Sequence, residues 1–598
     1  MGFHEWRSRP SSMAPVLVDV AMGRTPSDLM VRNCNLVNVN TGEIEEGVDV
    51  AVKRDRIALV GDAGHTVGPK TEVIDAEGRF VTPGLVDAHM HIESSMLTPT
   101  QFARAVLPRG TTTIFVDPHE VANVSGLEGV RSMLKESMKL PLKIYFALPS
   151  CVPALPGFET AGATIGPRKI SKALKWPNVI GLGEVMNFPA VIGGDVGMLR
   201  EIEVTLKAGL TVEGHCPGLS GHLLSAYVSA GVTSCHESTK KAEVAEKLRR
   251  GMYVQVREGS AWLDVKEDIR AITELGLDSR HMVLVTDDRE PGSLIREGHM
   301  NHVVRRAIQE GVDPVEAIQM ATLNPAEHFG MGRFLGSISP MRSADLLILK
   351  SLERMEPDVV VADGVVVARD GRLEVELEQP KLSKSTLNTV HLKRMPTPSD
   401  LVMKANRLAG TVKVRAIEVT EGSVITRNTI AEAPVVRGEV RTSTSEDLLK
   451  AAVLERHRGT GRISMAMTKG FGFQEGAVAS TVAHDSHNML VVGTDEGEMA
   501  FAARKLAECG GGMIAVRGRE VLGMIRLPIA GLLSDRPVEE VAQQAENLLA
   551  AYRKLGCDLI EPFMTMSLIT LTVLPELRLT DKGLLDTVKF EFVEPVLT

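Results

Sequence analysis

The sequence predicts an α/β chain built around a closed (β/α)8, TIM-like barrel. Strands lie on both flanks of the barrel, and an additional C-terminal α+β domain follows. Three observations predict this. Eight short β-branched runs alternate with amphipathic helical stretches between residues 81 and 335, and such alternation means parallel strands joined by helices. Eight repeats over roughly 250 residues is the count of a closed barrel, whereas an open doubly wound sheet more usually has fewer strands. The short alternating strands before and after the repeats share one pattern, so the two flanks complete a single sheet.

Taken in order, residues 1–27 are an N-terminal extension. The opening MGFHEWRSRPSSMAP lacks the apolar core of a secretory signal. Trp6 stands where an acylation motif wants Ser or Thr. From 28 to 80 the runs LMVRNCNLVNV, VDVAVKRDRIALVG and TEVIDAEGRFV alternate apolar and polar residues between turns at Asn40-Thr41-Gly42 and Gly61-Asp62, which reads as antiparallel β. The barrel over 81–335 begins with VTPGLVDAHMHI (81–92), TTTIFVDPH (111–119), KIYFALPSC (143–151) and VIGLGEVM (179–186). It continues with LTVEGHC (210–216), GVTSCHE (231–237), MYVQVREG (252–259) and HMVLVTDD (281–288), with helices such as GLEGVRSMLKESMK and KKAEVAEKLRR between the strands. Residues 336–378 return to short strands that rejoin those of 28–80. The stretch 378–395 is a polar linker, and 396–598 mixes strands (GSVITRNTI, GAVASTVA, NMLVVGT, GGGMIAVRG) with the helix PVEEVAQQAENLLAAYRKLG.

Composition excludes several classes. The 598 residues are 44% apolar and 24% charged, the profile of an ordinary globular chain. A net charge of −9 disfavours non-specific nucleic-acid binding. Only 3 Trp, 4 Tyr and 15 Phe are available, a small stock for stacking single-stranded bases. Six scattered cysteines fit a reduced, cytoplasmic protein. The longest apolar run, Phe563 to Leu574, is too short to cross a bilayer.

The strongest chemical signal is Asp87-Ala88-His89-Met90-His91 at the end of the first barrel strand. Residues i and i+2 of a strand share a side, so His89 and His91 can grip one cation. The other strands end alike, in Glu184, His215, His236 and Asp287-Asp288, and barrel enzymes gather their chemistry where strand C-termini converge. Four imidazoles and two carboxylates aimed at one point bind divalent metal. Cys216 and Cys235 fall on the opposite strand faces and read as packing. Asp287, directly after the apolar run, is the residue of its pair expected to point inward, while Asp288 supports a neighbour or contacts substrate. The chain shows neither the H-x-E and P-C-x-x-C of cytidine-type deaminases, nor a P-loop, nor H-E-x-x-H. Gly470-Phe471-Gly472 with Gly476 is a residue too long for a dinucleotide fingerprint.

VTPGLVDAHMHI, the later single histidines, the terminal aspartate and the trailing LNPAEHFG…GSISPMRSADLLIL together resemble the amidohydrolase superfamily. VDPHE (116–120), VEGHCPG (212–218), CHES (235–238), TDDREP (286–291) and VAHDSHN (482–488) resemble its bacterial adenine deaminase branch over nearly the whole chain. The resemblance implies that 28–80 and 336–378 form a small β-sandwich beside the barrel. It also implies hydrolysis of adenine to hypoxanthine and ammonia. Two divalent ions are implied, manganese favoured and iron or zinc possible: His89 and His91 hold one, His215 and His236 the other, Glu184 bridges and Asp287 ligates the first. A hydroxide between the ions would attack C6 of the purine, and Asp287 would carry its proton to the ring or the leaving amine. The chemistry needs such a site, because metal lowers the pKa of water from 15.7 to about 7. Asp117, His119 and Glu120 after strand two are candidates beside the site, Asp117 and His119 the more so by resemblance. His484, Asp485 and His487 leave three readings open: a lid over the barrel mouth, a third metal site, or a polar hairpin loop.

Two other functions fit the residues less well. A cyclic-amide hydrolase like dihydroorotase or hydantoinase would be expected to carry a carboxylated lysine where this chain has Glu184. A non-catalytic barrel scaffold would have lost ligands, and here the set is complete. The expected partner is a small purine base, with neither nucleic acid nor membrane, and the expected assembly is a homodimer.

Overall fold

In the computed structural model, which describes residues 10–597, eight parallel strands form the centre of the molecule. They are Leu85–Met90, Thr111–Val116, Lys143–Leu148, Val179–Val185, Thr211–Gly214, Ser234–Cys235, Tyr253–Arg257 and Met282–Val285. The first five make one ladder and the last three another. One seam closes where Met90 bridges Asp287 in parallel. The other closes where Thr233 N donates to Val212 O (3.0 Å) and Gly214 N to Ser234 Oγ (3.2 Å). The predicted barrel is therefore present. Its strands are buried on both faces because each is covered twice, by the barrel interior and by helices; Leu85–Met90 and Thr111–Val116 are buried throughout. The helices His119–Ser137, Val196–Lys207, Lys241–Arg249 and Met300–Gln309 lie between successive strands or after the last. Asp195 caps the second of these by accepting from Met198 N.

The run read as the first barrel strand divides in two. Phe80–Pro83 pairs with Leu29–Asn38 and Leu346–Leu349 in the flank sheet, and only Leu85–Met90 enters the barrel. Gly84 is the crossing point: a Cβ there would stand 2.2 Å from Thr112 Oγ1. The sixth run shortens to Ser234–Cys235. Strands from both flanks share one nine-stranded sheet, and Leu29, Val31, Val50, Leu346, Ile348 and Val361 bury their side chains in a single core. The helix Pro10–Ala21 packs Met13, Leu17 and Val20 against Ala58. The Met-Gly start and Trp6 lie outside the described residues.

The segment read as a polar linker is docked. Gln379 bonds both Gln101 and Thr98, and Leu382 and Leu387 pack on the main core. Beyond it, a nine-stranded sheet and a three-stranded sheet carry the C-terminal region, with helices Glu496–Cys509 and Val538–Lys554. The GSVITRNTI strand begins only at Arg427. This region rests on the barrel mouth: Asn488 Nδ2 donates to Thr160 O (2.8 Å), Thr160 Oγ1 to Asp581 (2.8 Å) and Ser534 N to Met96 O (2.8 Å). Among the described residues no helix is long and apolar enough to cross a membrane.

Candidate metal centre

The strand ends converge on one buried cup. His91 Nε2 lies 3.1 Å from Asp287 Oδ1 and 3.4 Å from Glu184 Oε1, and His89 Nε2 lies 3.6 Å from Asp287 Oδ1. On the far side, Glu184 Oε2 is 2.8 Å from His215 Nδ1 and 3.2 Å from His236 Nε2. The two oxygens of Glu184 thus face different imidazole sets. The structure brings His89, His91, Glu184, His215, His236 and Asp287 together, each less than a tenth exposed.

Local backbone geometry explains the aim of each side chain. The ladder between strands one and two slips between Asp87 and Met90, so Asp87, of the same parity as His89, leaves the cup. It accepts from Thr286 Oγ1 (2.5 Å) and lies 3.3 Å from His299 Nε2; burial pushes its carboxyl up to about 7. At the eighth strand Asp287 has φ 58°, a left-handed conformation held by His91 N donating to Asp287 O and Asp287 N to His89 O. The turn sends Asp288 elsewhere, to accept from Ser94 Oγ. Burial and the charge of Asp287 raise the Asp288 carboxyl to about 6. Cys216 and Cys235 lie in the core beneath the helices, where Lys247 Nζ stands 3.1 Å from Cys235 Sγ.

Asp117 braces the cup from the second strand. Its Oδ2 accepts from Glu184 N (2.8 Å), and its backbone oxygen is 2.8 Å from His91 Nδ1. That carbonyl fixes the proton on Nδ1 and leaves the Nε2 lone pair facing Glu184 and Asp287. His119 Nδ1 lies 3.4 Å from Glu184 Oε1 and its Nε2 3.6 Å from Asp485 Oδ1. Glu120 and His484 approach each other to 3.6 Å beside it, while His487 turns inward to accept from Ala483 N.

Sequence reasoning missed four features. Glu237 Oε1 lies 3.6–3.7 Å from His236 and His215. Arg257 Nη1, from the seventh strand, donates to Glu237 (2.8 Å) and to Asp287 Oδ2 (3.0 Å). The signal was available, since Arg257 is a charged residue at a barrel strand's C-terminal end. Trp262 joins Leu568, Leu571 and Leu574 in an apolar wall over the cup. The wall comes from the run judged only for membrane length. Finally, a cleft of about 790 Å³ shares Glu237, Arg257, Trp262, Val424 and Leu574 with the cup.

The cup fits divalent cations. Two ligands about 2.1 Å from one ion stand roughly 3.0–3.4 Å apart, the spacing of most contacts above. The buried His89 Nε2 has no hydrogen-bond partner. His215 Nδ1 and His236 Nε2 face each other at 3.3 Å across the same Glu184 oxygen, an arrangement that a shared cation reconciles. Burial alone would push the Glu184 carboxyl up; the imidazoles of His236 and His215 hold it well below the usual range. For Asp287, His89, His91 and Arg257 overcome burial in the same way.

Residues 80–367 match the amidohydrolase family model, and residues 423–591 match that of the adenine deaminase C-terminal domain. The chain is 51% identical over 584 residues to the adenine deaminase of Moorella thermoacetica, covering 97% of each chain. It is 46% identical to that of Clostridium botulinum (strain 657 / Type Ba4), covering 99% of each. It is 49% identical to that of Ruegeria sp. (strain TM1040), covering 98% of this chain and 97% of the other. With likeness of this extent spanning barrel and C-terminal region alike, the chain belongs to the adenine deaminase family of the amidohydrolases and is a metal-dependent hydrolase.

Proposed function

We propose that this chain hydrolyses adenine to hypoxanthine and ammonia at a binuclear centre. His89, His91 and Asp287 would hold one divalent ion, His215 and His236 the other, and Glu184 would span the two, with manganese favoured over iron or zinc. The observation that carries this reading is the division of Glu184, one oxygen toward His91 and the other toward His215 and His236. When bound, the ions supply Lewis acidity that makes water a competent nucleophile near pH 7.

The chain's own residues do the rest. Arg257 donates to Asp287 Oδ2 and so turns Oδ1 toward the cup, where it accepts a proton from the attacking water and returns it to the ring or the leaving amine. Asp117 acts through Glu184 and His91 as a positioning residue. His119 presents Nδ1 at the edge of the cup, 3.4 Å from Glu184 Oε1, where it would donate to or accept from the bound base. Trp262 and the leucines beside it offer a flat apolar face to the purine and exclude water.

The test is to strip the protein exhaustively with a chelator, reconstitute it with manganese, iron or zinc, and follow ammonia release from adenine alongside ring opening of dihydroorotate and hydantoin. Adenine turnover that vanishes on chelation and returns at two equivalents of metal is expected. Undiminished turnover after chelation, or turnover of the cyclic amides alone, would overturn the reading.

A further inference from the structure

Next to the cup lies a second concentration of buried charge, where the loop after the second barrel strand meets the 482–488 loop of the C-terminal region. His119, Glu120 and His484 each offer a ligand atom, and these atoms lie within 4.8 Å of one another. His484 Nδ1 is 3.6 Å from Glu120 Oε1 and 3.6 Å from Asp485 Oδ1, which is itself 3.6 Å from His119 Nε2. These separations exceed a hydrogen bond. The His484–Glu120 separation is close to the spacing of two ligands on one ion with bonds of about 2.2 Å, and the two contacts of Asp485 flank that pair.

The surroundings ask for a cation. Glu93, Glu120, Asp288 and Asp485 are all buried or nearly so, and no lysine or arginine among the described residues pairs with any of them. Glu120 is 0% exposed, yet its Oε2 has no hydrogen-bond partner; the same holds for the buried Asp485 Oδ2 and His484 Nε2. A single hydroxyl, Ser94 Oγ, serves both Glu120 and Asp288. Asp485 is flanked by the imidazoles of His119 and His484, but Glu93, Glu120 and Asp288 lie close together with few donors between them; carboxylates gathered out of water cost free energy, and a divalent ion with nitrogen and oxygen donors offsets it.

We propose that His119, Glu120 and His484 form a site for a third divalent cation of the first transition row, separate from the pair at Glu184. The ion ties the C-terminal region to the barrel mouth, because His484 comes from one and His119 and Glu120 from the other. Held through Nε2, His119 keeps Nδ1 facing Glu184 Oε1, 3.4 Å away. Asp485 lies beside the site and orients both histidines.

The full-length protein, stripped of metal and dialysed to equilibrium against micromolar cobalt(II), is expected to bind three equivalents per chain. His484→Ala and Glu120→Gln are each expected to bind two, with loss of the visible d–d absorption of one site. Glu120→Gln, nearly isosteric, carries the test if His484→Ala fails to fold. A wild-type chain that stops at two equivalents, or a folded variant that keeps the wild-type number, overturns the proposal. Ammonia release from adenine, measured separately, decides the binuclear reading, so failure of one is distinguishable from failure of the other.

Discussion

Replacing Asp287 with asparagine separates the roles of the two adjacent aspartates, and the structure sets how severe the change should be. Asp287 Oδ2 accepts from Arg257 Nη1 at 3.0 Å, while Oδ1 faces His91 Nε2 at 3.1 Å. An asparagine has one acceptor end and one donor end. Arg257 carries only donors, so the amide oxygen must turn to it and the NH2 group must face the cup, where it neither ligates a cation nor accepts a proton. Loss of general base work alone is worth about 10²–10⁴-fold, or roughly 3–5 kcal/mol of barrier. Asp287→Asn should therefore lose at least about 10²-fold in kcat, with circular dichroism unchanged. Asp288→Asn, whose parent lines the cup but turns its carboxylate to accept from Ser94 Oγ, should stay within about tenfold, a barrier change of about 1.4 kcal/mol. The assay is the absorbance change from adenine to hypoxanthine, read with metal content. A folded, metal-replete Asp287→Asn near wild-type rate, or an Asp288→Asn that alone is inactive, would refute the reasoning.

Trp262→Ala removes the aromatic part of the wall and the cation–π contact with Arg257 (5.9 Å). Base–aromatic stacking is worth about 1–3 kcal/mol, so KM for adenine should rise by about 5- to 150-fold, more than kcat falls, in steady-state kinetics. Lys143→Met leaves Asp345 and Asp363 buried without the ammonium that stands 2.7 and 2.6 Å from them; a loss of about 3–5 kcal/mol should appear as a lowered unfolding midpoint. Glu159, buried where the barrel meets the C-terminal region, has its carboxyl raised by burial from 4.5 to about 8. A raised carboxyl favours the folded state while protonated, so its contribution is present below the unfolded pKa and is lost as pH climbs from 4.5 to 8. Glu159→Gln should accordingly stabilise the protein at pH 8–9 relative to wild type and do little near pH 4, by thermal melts at both pH values; equal shifts at both would contradict it.

The barrel was legible because its signal is periodic and repeated: eight β-branched runs separated by helical stretches leave few alternative topologies. Strand ends were legible for the same reason, since in a barrel position along a strand maps directly to depth in the mouth. What periodicity could not show was where that mapping breaks. The ladder slip between Asp87 and Met90 sends Asp87 outward, and no residue pattern announces it. Gly84 falls inside the run read as the first barrel strand, and only its close approach to Thr112 marks it as the point where that run divides. The wall of Leu568, Leu571 and Leu574 lies about three hundred residues from Trp262, which it meets. Apolar runs declare burial but not their partner, so an assembly across two regions stays invisible. Arg257 was the one avoidable omission, because it satisfies the same strand-end rule that picked out the histidines.

The C-terminal region is best understood through the dielectric of the mouth. Ligands at strand ends can hold cations in an open barrel, but an open mouth is filled with water, and two unit charges 4 Å apart then interact by only about 1 kcal/mol. At an effective dielectric constant of 20 the same pair is worth about 4 kcal/mol. Trp262 supplies one apolar surface from the barrel, yet a single indole leaves the opposite side wet. Leu568, Leu571 and Leu574 close that side, and the segment carrying them is anchored by Thr570 Oγ1 donating to His484 O (2.7 Å). The residue that anchors the wall is thus the same one that reaches Glu120 beside the metal cup. Because a 482–488 loop displaced from the barrel would release the leucines with it, charge compensation at His484 and water exclusion over the cup are consequences of one contact.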